Sequence, residues 1–140
     1  MDLGAHAGHD SAHYLSKGFR VVAVEANPEL CRDLRARFSK EIREGKFRLL
    51  EAAIGEHTGE SNFWINDRNA EWSSILQDVA ERGGRARKIS VPSVTFADLL
   101  RTFGIPYYVK IDIERADVFC LRALPRDWHS AISLGGSPRT

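Results

Sequence analysis

Apolar positions along the chain fall into short runs of two kinds, continuous stretches rich in branched residues and stretches with a helical repeat. Phe19-Arg20-Val21-Val22-Ala23-Val24-Glu25 is of the first kind and reads as a parallel strand covered on both faces. Asp10 to Lys17 before it suits a helix ended by Gly18. After it, Asn27-Pro28 marks a helix start, and Leu30, Leu34, Phe38 and Ile42 recur every four residues up to Gly45. Phe47 to Ile54 predicts a second strand, Gly55 and Gly59 bracket a turn, and Asn62 to Ile65 predicts a short strand leaving it. Asn66 to Lys88 is polar and charged, the pattern of a long excursion over a ligand face, and order returns at Ile89-Ser90-Val91. Thr95 with Asp98 three residues on predicts a capping box opening a helix that stops at Gly104. Tyr107 to Glu114 is the strongest strand signal, with Val109, Ile111 and Ile113 alternating against Lys110, Asp112 and Glu114. A helix through Val118, Leu121 and Arg122 and a strand at Ala131 to Leu134 complete the pattern, and 135–140 reads as a frayed tail. Strand and helix alternate four or five times, which predicts an open, mainly parallel α/β sheet with right-handed crossovers.

A length of 140 residues predicts one domain over 1–140, and 43% hydrophobic with 28% charged residues is the mix of a globular protein. Lys+Arg 20 against Asp+Glu 19 leaves a net charge of +1, so no broad basic field exists to hold nucleic acid or a membrane surface. No run reaches the length of a membrane span, and the N-terminus lacks the pattern of a signal peptide. The two cysteines, Cys31 and Cys120, each lie in an amphipathic stretch, which suits reduced, buried thiols and a cytoplasmic setting.

In a sheet of this kind ligands lie at the carboxyl ends of the strands, so the residues just after each strand are the ones to read. Asp2-Leu3-Gly4-Ala5-His6-Ala7-Gly8-His9 places two glycines four apart between an acidic residue and a helix, allowing a tight turn that approaches a ligand. Glu25 follows Gly4 at the distance at which an acid at the end of the second strand accepts from ribose hydroxyls. A dinucleotide fingerprint requires glycine at the first, third and sixth positions of the turn, whereas this chain has Gly4, His6 and His9. Side chains at 6 and 9 would crowd a pyrophosphate but not a nucleoside without phosphates, which favours S-adenosylmethionine.

Asp2-x-Gly4-x-x-x-Gly8, Glu25-Ala26-Asn27-Pro28, Ala52-Ala53-Ile54-Gly55, Ser73-Ser74 and Lys110-Ile111-Asp112-Ile113-Glu114 together resemble the FkbM family of S-adenosylmethionine-dependent methyltransferases, from Asp2 to about Leu134. The resemblance implies a class I methyltransferase, Rossmann-like open parallel sheet and methylation of a hydroxyl oxygen on a sugar or secondary metabolite. Carried over by position, it implies that Asp2, Gly4, Ala5 and Gly8, with His6 between them, surround the methionine part of the cofactor. Glu25 would then hold the ribose, Ala26, Asn27 and Ala53 would lie near the adenosine, and Asp112 and Glu114 would close the site. Three departures stand out: Arg115 replaces the usual glycine after Glu114, Gly135 stands where an acid is typical, and the last two strands of a full methyltransferase sheet are expected to be missing. If Arg115 occupies a turn that needs positive φ, it is strained; otherwise it is free to pair with Glu114 or Asp117. Missing strands predict an unpaired sheet edge near the fifth strand and association through it.

For an alcohol acceptor Asp112 is the first candidate general base, Glu114 the second, and His9 or His13 stand behind them. The competing reading makes Asp112 a strand-end acid paired with Lys110 or Arg115. His6, His9 and His13 are spaced by three and four, but no Cys or acid completes a ligand set, so no metal is expected. Trp64 and Trp72 flank the polar excursion and would either line an acceptor pocket or pack beneath the loop. The rival to an active O-methyltransferase acting on a small-molecule acceptor is a truncated, non-catalytic cofactor-binding or assembly module.

Overall fold

The structure, a computed structural model, describes residues 1–114 and 116–135, apart from the Glu71 side chain. In chain order it contains β1 (Asp2–Leu3), α1 (His9–Ser16), β2 (Val21–Glu25), α2 (Pro28–Arg37), α3 (Ser39–Arg43), β3 (Phe47–Glu51), β4 (Ala53–Ile54) and β5 (Gly59–Asn66). A 3-10 turn (Ala70–Trp72) and α4 (Gln77–Ala80) precede β6 (Ala86–Val94), α5 (Phe96–Phe103), β7 (Tyr108–Ile111), α6 (Asp117–Arg122) and β8 (Ala131–Leu134). The main sheet has the order β3-β2-β1-β7-β8 with every pairing parallel. This is the open parallel α/β sheet that the alternating pattern predicts, of the Rossmann-like class that the resemblance implies.

Each face of that sheet is closed by helices, as parallel strands require. Leu3, Val24, Val109 and Ile111 pack with Phe96 and Leu99 of α5 and Cys120 of α6. On the other face Val21 and Ala23 meet Leu34 of α2, Phe38 and Phe47. The order in which strands are added to the sheet reverses between β1 and β7, and the crevice at the carboxyl ends of those two parallel strands is where such sheets take ligands.

Several elements differ from the sequence pattern, each for a local reason. The strand expected from Phe19 begins at Val21, because the Phe19 N–H bonds to the Tyr14 carbonyl at the end of α1. The single helix expected from Pro28 to Ile42 divides at Phe38 (φ −105°, ψ 25°), whose ring stays in the core against Phe47 at 4.5 Å while Ile42 is left 38% exposed. The strand expected over 47–54 is two strands. After Ala52 bonds to the Glu25 carbonyl, the chain leaves the main sheet, and Ala53 and Ile54 pair with Ser93 and Val94.

They belong to a second, three-stranded sheet, β4-β6-β5, in which β5 and β6 form an antiparallel ladder from Gly59↔Ser93 to Asn66↔Ala86. The pattern predicts only fragments of this ladder, at 62–65 and 89–91. Its charged flanks, such as Arg87 and Lys88, conceal the rest.

The excursion after Asn66 is folded and not open. The Asn66 amide donates to the carbonyls of Ala80 and Arg82, its Oδ1 accepts from the N–H groups of Arg68 and Asn69, and Val79 and Ala80 are fully buried. At α5 the capping box forms as predicted, with Thr95 Oγ1 accepting from the Asp98 N–H and the Asp98 carboxylate from the Thr95 N–H. In α6 it is Cys120 that is buried, while Val118 and Leu121 are 37% and 38% exposed. The strand expected over 107–114 is limited to Tyr108–Ile111, and the turn residue of positive φ is Glu114 (φ 43°). Arg115 and residues 136–140, on which the strained-turn and frayed-tail expectations fall, lie outside the described residues.

Candidate functional site

A cavity of about 330 Å³ opens at the carboxyl ends of β1, β2 and β7. Its walls come from the turn after β1 (Gly4 to Ala7) with His9 and Asp10, from Glu25 and Ala26, from Ala52 to Ile54, from Phe63, Ala70 and Ser73 to Ile75, and from Lys110, Asp112 to Glu114 and Ala116. Small alanines form much of the wall and leave space for a flat ligand.

The turn after β1 is held by sterics and by hydrogen bonds. Gly4 has φ 81°, and a Cβ there would overlap the Asp112 carbonyl oxygen, so β1 and the end of β7 approach as closely as glycine permits. Its N–H and that of Ala5 both donate to the Val24 carbonyl, at 2.9 and 3.1 Å. Arg37 Nη1 donates to the Ala7 carbonyl at 2.6 Å, fixing the far side of the turn to α2. Gly8 (φ 80°) serves packing instead. A Cβ there would come within 2.6 Å of Leu34 and Phe38, so it lets α1 pack onto α2 and does not line the cavity.

Glu25 is 8% exposed and ends β2 with its carboxylate turned to the glycine turn. Oε2 accepts from the His6 N–H and Oε1 from the Asn27 N–H, both at 2.9 Å. Burial pushes its pKa above the ordinary carboxylate value, and the bonds from Asn27 and His6 oppose that push only in part. The Ala26 N–H adds to these bonds, and a carboxylate's roughly four lone-pair sites leave acceptor capacity beyond the three N–H groups. His6 (φ 51°) also lines the cavity, and its buried Nε2 has no hydrogen-bond partner. Asn27 lies outside the lining; its Oδ1 caps α2 by accepting from the Glu29 N–H at 3.0 Å.

Behind the turn lies a charge cluster. Asp2 is fully buried, accepts from Ser11 Oγ at 2.6 Å and stands 3.5 Å from Lys110 Nζ, and it does not line the cavity. Burial raises its pKa despite the Lys110 charge and the Ser11 bond. Lys110 Nζ is 3.1 Å from Asp10 and 3.6 Å from Asp112, and it donates to the Gly4 carbonyl at 3.2 Å. Burial pulls this ammonium down, but Asp2, Asp10 and Asp112 outweigh it and hold Lys110 above its ordinary value. Asp112 is thus both cavity wall and ion-pair partner of Lys110, the pairing that the strand-end reading expects. Glu114 lines the cavity, pairs with Arg82 at 3.6 Å, and its carbonyl accepts from Ser74 Oγ at 3.3 Å.

A model of the methyltransferase FkbM domain matches residues 2–133. The chain belongs to the FkbM methyltransferase domain family. No curated protein and no solved structure matches it. In this FkbM domain the cavity gathers Gly4, Ala5, His6, Glu25, Ala26, Ala53, Asp112 and Glu114, while Asp2, Gly8 and Asn27 support it from behind.

Asp10 and Phe63 are wall residues that the sequence pattern does not single out, and Lys110, expected only as a partner of Asp112, is a wall residue as well. A cation in the middle of the strongest apolar strand is a further signal that marks Lys110. Ser73 and Ser74 join the wall, whereas Trp64 and Trp72 do not: Lys88 sits over the Trp64 ring, and Trp72 packs at Gly83. His9 is in the wall, but His13 lies at the opposite, amino-terminal ends of the strands. Among the described residues no group of three His, Cys, Asp or Glu is placed to hold a metal ion, and no helix is long and apolar enough to cross a membrane.

Proposed function

We propose that this FkbM domain binds S-adenosylmethionine in the cavity and methylates a hydroxyl oxygen of a small-molecule acceptor, a sugar or secondary metabolite. Glu25 carries the reading. A buried carboxylate steadied by backbone N–H groups, facing an alanine-lined cavity beside the glycine turn, suits a ligand that brings two neighbouring hydroxyls and a flat base. The unpartnered Nε2 of His6 in the same wall favours a polar ligand there. When bound, the cofactor supplies an electrophilic methyl carbon on a sulfonium, which leaves as a neutral thioether.

The chain's own part is to hold the acceptor in line and to take its proton. Asp112 is the residue for that proton, because its carboxylate is in the wall and 40% exposed while Lys110 steadies it. Glu114 is the next carboxylate along, and His9 stands across the turn. Buried free thiols at Cys31 and Cys120 support a cytoplasmic setting.

Titration calorimetry with S-adenosylmethionine, S-adenosylhomocysteine and NAD tests the reading. Both nucleosides bind and NAD does not; Glu25→Ala weakens binding by about 1.5–3 kcal/mol, the range for hydrogen bonds to a charged group. Preferential NAD binding, or unchanged nucleoside affinity in a Glu25→Ala variant with wild-type melting, refutes it.

A further inference from the structure

The cavity wall is unbalanced in charge. Four carboxylates, those of Asp10, Glu25, Asp112 and Glu114, line it, and among the described lining residues Lys110 is the single Lys or Arg. That ammonium is already divided between Asp10 at 3.1 Å, Asp2 at 3.5 Å and Asp112 at 3.6 Å. Arg82 reaches Glu114 at 3.6 Å from outside the lining. Two of the carboxylates are open to the cavity and its solvent: the Asp112 side chain is 40% exposed and that of Asp10 53%, and both line the wall.

We propose that the cavity selects its ligand by charge, holding the cationic sulfonium donor more tightly than the neutral thioether product, with Asp10 and Asp112 setting the difference and Lys110 limiting it. The proposal rests on the cofactor reading above. The two nucleosides differ by one methyl group and one positive charge, and the cavity is small enough that any point in it lies within about one screening length of the wall carboxylates. A unit charge at such range, in a partly solvated site, changes affinity by about three- to ten-fold. Lys110 keeps the buried Asp2 paired and takes up part of the negative charge, so the preference is moderate, and the spent product leaves without competing strongly with fresh donor.

Separate titrations of the 140-residue protein with S-adenosylmethionine and S-adenosylhomocysteine measure the ratio of dissociation constants. In low salt the donor is expected to bind about five-fold more tightly than the product. The ratio moves toward unity as salt rises from about 20 mM to about 500 mM, which shortens the screening length from about 20 Å to about 4 Å. Asp10→Asn and Asp112→Asn, each removing one negative charge from a solvent-reached side chain, are each expected to reduce the ratio about two- to three-fold while the thermal midpoint stays close to wild type. Lys110→Met raises the ratio if the variant folds; the two Asn variants decide the matter without it. Product binding as tight as donor binding in low salt, or a ratio that neither Asn variant changes, overturns the charge selection alone. Failure of both nucleosides to bind overturns the cofactor reading, and this inference with it.

Discussion

The glycines of the first turn separate two roles that the Gly4–Gly8 spacing merges. At Gly4 an added methyl meets backbone, the Asp112 carbonyl, which cannot move without parting β1 from β7. At Gly8 it meets the ends of the Leu34 and Phe38 side chains, which are packed in the core but give way more readily than backbone. Both positions have φ near 80°, so alanine carries the left-handed penalty of about 1–2 kcal/mol at each. Overlap with backbone then adds about 1–3 kcal/mol at Gly4 and less at Gly8. Gly4→Ala is therefore expected to be the more destabilising in urea melts by at least about 1 kcal/mol, and, where still folded, to lose nucleoside binding. Gly8→Ala keeps binding, because that position is not part of the wall. Equal losses in the two variants would show that the close approach at Gly4 relaxes at little cost.

At the level of elements, the signals that proved readable were those whose cause is local. Thr95 and Asp98 form the box because both partners lie within four residues, and the same carboxylate accepts from Thr58 in the β4–β5 turn. The bonds from Thr58 and Thr95 hold the Asp98 carboxyl below its ordinary value. Stability from this acid is thus present above the unfolded carboxylate pKa of about 4 and is lost as pH falls through the lowered folded value. Thr95→Ala is expected to cost about 0.5–2 kcal/mol at neutral pH and less in acid, as denaturant midpoints at the two pH values will show. A cost that does not shrink in acid would limit the cap to its neutral hydrogen bond. Elements whose cause is distant were not readable. Nothing near Ala52 signals that the chain changes sheets, since Ser93 and Val94, far along the chain, draw Ala53 and Ile54 away. Nor does Asn66 differ locally from a turn asparagine; its role emerges only when Ala80 and Arg82 fold back onto its amide. The site divides along the same line: Gly4 and Glu25 were legible from their separation, but Lys110 and Asp10 needed the third dimension to meet.

Taken as a whole molecule, the fold has its cavity at the carboxyl ends of the strands and, at its margins, two sheet edges of unlike character. β3 ends the sheet with Arg48 and Glu51, and Arg35 of α2 reaches across to Glu51 at 2.7 Å, so that edge carries charge and is partly covered. β8 ends the other side as Ala131-Ile132-Ser133-Leu134, with neither a charge nor a proline, and Leu134 is 49% exposed. Among the described residues β8 pairs only with β7. An uncharged, unpaired edge is a template for strand addition, and lysine placed on it opposes pairing by bringing like charges together. The 140-residue chain is accordingly expected to self-associate through β8 as its concentration rises, read as an increasing mass in light scattering. Ala131→Lys, at an exposed position of that edge, is expected to remain monomeric over the same range with an unchanged thermal midpoint. A wild-type chain that stays monomeric, or a lysine variant that associates equally, would show that this edge is not the contact.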